Sequence, residues 1–378
     1  MQVGAIFVPF TVTYWPDFKA HGMKRTLDRR TFLQQALSIT GLGVFGSLLD
    51  NLPARASATP LRAAMMNDGL VVSWGAQGKL AAEQFGHWLG VEIEWFDGNL
   101  DLNQQRANME AIADRDWDFV AVQPGSIGTL VEATERLTSR GIPVIDMDTL
   151  IAPFPLLQEI GILTFITPDN VAMAESVVQA LVDRMGGEGK IAHTWGRQGH
   201  TGAQGRAQGF YNVIRRYPNI EVVDDQPGDW NVDLTSRIWE TLLNRHPDLT
   251  AGFLHNDDMA LAARQVVERH GMQDHVILGG VDAMIPAIQA VMDDRLLATV
   301  RNSSPRVHGW AVLAGYYAAV NGLEQARRDI PPMIVADGSL IIRDVQSDPE
   351  LANEPWKIRG YGRDNLASYI WAEEQLVF

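Results

Sequence analysis

Three short apolar runs, each ending in a polar cluster, decide the fold. They read Ala251-Gly-Phe-Leu-His-Asn256-Asp257-Asp258, Val276-Ile-Leu-Gly-Gly-Val281-Asp282 and Leu296-Leu-Ala-Thr-Val300-Arg301-Asn302. Helical patterns lie between them, around 259–270 and 286–292. Strands buried on both faces read as continuous apolar runs, so this alternation predicts a parallel sheet covered by helices. Ligands of such sheets bind outside the carboxyl ends of the strands, which brings the three polar clusters to one crevice. Amides and carboxylates arriving together suit a small polyhydroxylated ligand, because a hydroxyl both donates and accepts.

Upstream the same alternation recurs. Residues 70–74, 91–96, 119–123 and 143–147 read as strands, interleaved with helices at 80–89, 102–113 and 130–140. Residues 150–164 interrupt the pattern, with Pro153 and Pro155 around Phe154. A second series follows: helix 171–185, strand 190–194, helix 205–216, strand 221–225, helix 232–245, then the runs quoted above. A helix over 307–323, a strand over 339–342 and a polar, aromatic-bearing tail complete the chain. The expected fold class is α/β, with two doubly wound parallel-sheet lobes joined by a hinge and a ligand crevice between them.

Composition narrows the function. The 378 residues suffice for two cores, and a net charge of −15 argues against a nucleic-acid partner. With no cysteine, disulfides, thiolate metal sites and cysteine nucleophiles are excluded. The first segment has its own logic. Lys24 and Arg25 precede Arg29-Arg30-Thr31-Phe32-Leu33, followed by a weakly apolar, glycine-bearing stretch over 36–52. Ala54-Arg55-Ala56 and Ala56-Ser57-Ala58 offer small residues at cleavage-site spacing. Residues 1–58 therefore resemble a twin-arginine export signal with Met23 as the start. Residues 1–22 have no role in that signal. Cleavage after 56 would leave a net charge of −18, since six Lys/Arg and three Asp depart. No other segment reaches eighteen uninterrupted apolar residues, so an exported, periplasmic protein is expected.

From about Leu70 to Leu323 the chain resembles the type I periplasmic sugar-binding proteins, the family of ribose-binding protein. The motifs that carry the likeness are Ile142-Pro143-Val144-Ile145 ending in Asp148; Asp169-Asn170 with Gly186-Gly187-Glu188-Gly189-Lys190-Ile191; and Arg206-Ala-Gln-Gly209-Phe210. Gln226-Pro227-Gly-Asp-Trp230, Asn256-Asp257-Asp258-Met259-Ala260 and Gly280-Val281-Asp282 follow in order. The resemblance implies a receptor that closes its lobes on a monosaccharide or sugar alcohol and delivers it to the permease of an ABC importer, acting as a monomer without cofactor or metal. It implies hydrogen bonds to the ligand from Asp148, Asn256, Asp282 and Asn302, and ring stacking by Trp230. Thr149 and Gln204 stand where ribose-binding members carry arginines, while Arg206 keeps the second arginine in a supporting role. After Ser73 the family's aromatic pair is replaced by Trp74-Gly75-Ala76-Gln77-Gly78-Lys79. Trp74, Gln77, Lys79 and Gln123 are thereby further ligand candidates at first-lobe strand ends, and Arg301 is an alternative cation. Asp257 is expected to cap the next helix and Asp258 to sit in its first turn.

The implied domains are an N-terminal lobe of 61–165 plus 303–334, a C-terminal lobe of 166–302 plus 335–348, and an extension over 349–378. Two other functions fit the same fold. One is a chemosensory or signal-molecule receptor. The other is a repressor core, which would need a helix-turn-helix where the leader lies. An enzyme acting on a sugar would have to use His193, His200 and His255 near strand ends, and the chain has no His-x-x-x-His pair, Gly-x-Ser-x-Gly elbow or phosphate-cradling loop to support it.

Overall fold

In the computed structural model residues 60–336, 338, 340–342 and 358–361 are described. The leader over 1–58 and most of 343–378 lie outside them. The first lobe opens with β1 (Leu61–Asn67), a strand the sequence reading passes over in favour of 70–74. Its Ala-Ala-Met-Met centre has no β-branched residue, and its strand state comes from position. It is hydrogen-bonded on one side to β2 (Val91–Asp97) and on the other to β3 (Phe119–Val122), with six of its seven residues buried. Residues 70–72 are the turn after it, and α1 (Ser73–Leu89) begins where a strand end is expected.

The first sheet continues through β4 (Val144–Met147), β5 (Thr164–Pro168) and β11 (Met333–Ala336), all parallel. The edge strand β13 (Ile358–Tyr361) runs antiparallel to β11, giving the order β13-β11-β5-β4-β3-β1-β2. α2 (Leu102–Ala113), α3 (Val131–Ser139) and α4 (Phe154–Glu159) lie between its strands in the chain. One face of the sheet is covered by α1 and α10 (Ser304–Asn321), and fourteen of the first fifteen residues of α10 are buried. Gly78 of α1 lies against the His308 ring, leaving no room for a β-carbon, so these two helices meet at van der Waals distance through a glycine.

The second lobe contains α5 (Asn170–Met185), β6 (Glu188–Trp195), α6 (Thr201–Ile214), β7 (Asn219–Pro227) and α7 (Val232–Arg245). It continues with β8 (Ala251–Leu254), α8 (Asp257–Arg269), β9 (Ile277–Gly279), α9 (Ile285–Met292) and β10 (Ala298–Val300). Its sheet order is β12-β10-β9-β8-β6-β7, in which only β12 (Leu340–Ile342) is antiparallel. Each lobe packs an apolar cluster on each face of its sheet. The chain passes between the lobes after β5, after β10 and between β11 and β12, slightly beyond the boundaries expected at 165 and 334. The two sheets reverse strand order beside β1 and β6, and each reversal opens a crevice at the strand carboxyl ends.

Candidate functional site

Both crevices open onto one interlobe cavity. The first lobe supplies Asp68 and Gly69 after β1, Val72 before α1, Trp74 and Gly75 on α1, Leu100 from the turn after β2, Gln123 after β3 and Asp148 after β4. The second supplies His200 just before α6, Arg206 on it, Trp230 after β7, Asn256 after β8, Asp282 after β9 and Asn302 after β10. These polar side chains are buried, so the lobes are closed over the cavity.

The hydrogen-bond network holds these groups in place and leaves specific atoms over. Asp148 Oδ2 accepts from Gln123 Nε2 at 2.8 Å and lies 3.2 Å from His200 Nε2, while its Oδ1 is buried without a partner. Asn256 caps α8 through Oδ1, which accepts the Met259 amide at 2.9 Å; its Nδ2 is buried and unpartnered. Asn302 Nδ2 donates to Asp282 Oδ1 at 3.0 Å, and Asn302 Oδ1 is left over in the same way. Arg206 donates from Nε to Asn170 Oδ1 at 2.9 Å and from Nη1 to the His255 carbonyl, and its Nη2 lies 3.6 Å from Asp282 Oδ1. Buried polar groups are ordinarily paired, so two free acceptors and a free donor around one cavity mark a place for hydroxyl groups.

Electrostatics separates the two carboxylates. Burial pushes Asp148 up, but His200, Arg206 and Gln123 more than offset it and hold the carboxyl below its ordinary range. Burial raises Asp282 to about 7 against the charge of Arg206 and the Asn302 hydrogen bond, with Asp258 and Asp148 adding to the rise. Backbone strain is concentrated here as well. Among the described residues eight non-glycines have positive φ, and four of them line the cavity: Leu100 (56°), Asp148 (59°), Trp230 (61°) and Asp282 (123°). Each costs on the order of 1–3 kcal/mol, a pattern typical of ligand clamps.

Of the residues expected at the site, Asp148, Trp230, Asn256, Asp282, Asn302, Trp74 and Gln123 line the cavity. Gln77, Lys79, Gln204 and Thr149 do not. The early start of α1 puts Gln77 and Lys79 on a helix instead of a strand-end loop, and Lys79 pairs with Glu83 one turn on. Gln204 donates to the Gln198 carbonyl at 2.9 Å. Thr149 stands behind His200, with Oγ1 2.7 Å from its Nε2. Arg301 is likewise not in the lining.

The expected cap at Asp257 is made by Asn256 instead; Asp257 accepts from the Met284 amide at 2.8 Å and from Thr299 Oγ1 at 2.7 Å. Asp258 lies in the first turn of α8 and reaches across to the other lobe. Asp68, Val72, Leu100, His200 and Arg206 were missed as lining residues. Asp68 follows the unrecognised strand, and Arg206 was visible but assigned to support alone. His193 and His255 form a buried pair, Nε2 to Nε2 2.8 Å, with His193 Nδ1 2.9 Å from Asp225 Oδ1 and its ring stacked 4.0 Å from Phe210. They lie in the core of the second lobe and do not line the cavity.

The sequence profile of the periplasmic binding protein domain matches residues 64–324. The chain belongs to that family. This periplasmic binding protein is 28% identical to the ribose import binding protein of Bacillus subtilis over 211 residues, 56% of this chain and 66% of that one. It is 25% identical to the xylitol-binding protein of Mycolicibacterium smegmatis over 228 residues, 60% of this chain and 63% of that one. In both cases the match spans just under two thirds of the relative's length. A solute-binding protein of Mycobacterium smegmatis solved with glycerol superposes with a TM-score of 0.65 at 26% identity, covering 75% of this chain and 94% of that chain. One from Bacillus halodurans C-125 solved with myo-inositol gives 0.69 at 21% identity, covering 80% and 100%, and supports the type I two-lobed fold of this periplasmic binding protein.

Proposed function

We propose that this protein is a periplasmic solute receptor that encloses a monosaccharide or sugar alcohol between its lobes and delivers it, as a monomer, to the permease of an ABC importer. One observation carries the reading: Asp148 Oδ1, Asn256 Nδ2 and Asn302 Oδ1 are buried without partners in residues that line one cavity with Trp230. Vicinal hydroxyls satisfy acceptors and donors in this mixture, and an indole offers an apolar face to the C–H side of a ligand. The relatives support it through what their own names record, ribose and xylitol. The same relatives are binding proteins, which supports a receptor rather than an enzyme. A micromolar complex needs about 8 kcal/mol, within reach of several charge-assisted hydrogen bonds after the cost of closure.

A thermal-shift screen of pentoses, hexoses, deoxysugars and polyols, followed by calorimetry, tests the reading. One or more should bind at micromolar level and be recovered unchanged; failure of every one would remove it. The Arg29-Arg30 pair supports export by the twin-arginine route. Its replacement by two lysines should leave precursor in the cytoplasm, and normal export would refute that route.

A further inference from the structure

Leu100 is the least expected of the cavity residues. It sits in left-handed backbone directly after Asn99, which has φ 50°, so two consecutive non-glycine residues adopt a conformation that glycine takes freely. The turn is braced on every side. The Leu100 amide donates to the Asp68 carbonyl at 2.7 Å, and the Asn99 amide donates to Asp97 Oδ1 at 2.9 Å. From the opposite lobe, Arg197 Nη2 donates to the Leu100 carbonyl at 2.8 Å. This bracing delivers an apolar side chain to the cavity. Leu100 and Val72, both of the first lobe, line the cavity and pack against the second-lobe apolar cluster that contains Trp230. Asp68, beside Leu100, has Oδ1 engaged by Arg197 Nη1 at 2.8 Å. Among the acceptors and amide donors of the cavity-lining residues, the buried side-chain atoms left without partners belong to Asp148, Asn256 and Asn302, while the Leu100 and Val72 side chains present carbon alone.

We infer that Leu100, with Val72, is a specificity wall: the part of the ligand that meets it carries hydrogen or a methyl group rather than a hydroxymethyl arm. The preferred ligands are then 6-deoxyhexoses, pentoses or short polyols over the corresponding hexoses. The reason is desolvation. A primary hydroxyl pressed against the Leu100 and Val72 side chains loses its water and gains no partner from them, while a methyl group gains apolar contact. This inference rests on the sugar-and-polyol reading above.

Matched pairs test it: L-fucose against L-galactose, L-rhamnose against L-mannose, and xylitol against D-sorbitol, titrated calorimetrically into the native protein and into Leu100→Ala and Leu100→Gly. In the native protein the member lacking the extra arm should bind at least about tenfold tighter in any pair that binds. In both variants the ratio should fall to about threefold or less, and Leu100→Gly, which relieves the strained φ, guards against loss of fold. Equal or tighter binding of the hydroxymethyl member by the native protein overturns the wall while leaving the receptor reading in place. An unchanged ratio in folded variants overturns it equally. Absence of binding by every sugar and polyol removes both.

Discussion

His200 Nε2 lies 3.2 Å from Asp148 Oδ2, and the two residues belong to opposite lobes. The same nitrogen is 2.7 Å from Thr149 Oγ1, and the His200 ring meets Trp230 edge-on at 5.3 Å. One imidazole thus touches the carboxylate of one lobe and the indole of the other. It helps keep Asp148 ionised and orients its remaining oxygen. The contact crosses from one lobe to the other, so separating the lobes would break it and remove its effect on the Asp148 charge.

His200→Ala should therefore weaken ligand binding about tenfold to a hundredfold, since a hydrogen bond to a charged group is worth roughly 1.5–3 kcal/mol. Calorimetry checks the affinity and a thermal melt checks the fold. An affinity within twofold of native would show that closure does not use this contact.

Asp282 predicts a pH dependence. Its carboxyl is raised to about 7 by burial, so between about 4 and 7 the folded, unliganded protein holds a proton that the unfolded chain has released. This group's contribution to stability falls as pH rises through that window and is level above it. Ligand hydroxyls that donate to Asp282 favour the anion, so binding near pH 6 should release protons and affinity should rise up to about pH 7. Titrations in buffers of different ionisation enthalpy measure the release, and Asp282→Asn should abolish it. Release of the same size in that variant would assign it elsewhere.

Trp230 is only 8% exposed and belongs to the second lobe's core, so truncating it to alanine would cost about 3–5 kcal/mol of stability and confuse fold with function. Gly196 gives a cleaner probe. A β-carbon there would overlap the Trp230 ring, so Gly196→Ala should tilt the indole and lower affinity at least about tenfold. Tryptophan fluorescence would report the displacement. A displaced ring with native affinity would take Trp230 out of the ligand contact.

Ser73 and Asp258 latch the lobes without lining the cavity. The Ser73 amide donates to Asp258 Oδ2 and its Oγ donates to Oδ1, each at 2.9 Å. Asp258→Ala should raise the dissociation rate about threefold to tenfold, and adding Ser73→Ala should then change little, because the two act as one contact. Stopped-flow release of ligand measures both. Additive effects would mean that the residues act separately.

Much of the site was legible because parallel strands flanked by helices leave a readable trace. The apolar runs ending at Asn256, Asp282 and Asn302 became β8, β9 and β10 with those residues at their carboxyl ends. β1, β5 and β11 left no such trace. β1 lacks β-branched residues, and β5 and β11 border prolines (Pro168; Pro331 and Pro332); all three are strands because neighbours hydrogen-bond to them. A strand read at 70–74 in place of β1 puts Gln77 and Lys79 at a strand end and leaves Asp68 out, whereas α1 in fact begins at Ser73.

The amino-acid order fixed the alternation of elements and the chemistry at most strand ends, since both follow from local pattern and side-chain type. Which oxygen of Asp148 is free, that Leu100 enters the cavity and that His200 spans the cleft were decided only by the folded arrangement. Those facts depend on contacts between residues distant in the chain, and on left-handed turns held in place by the opposite lobe.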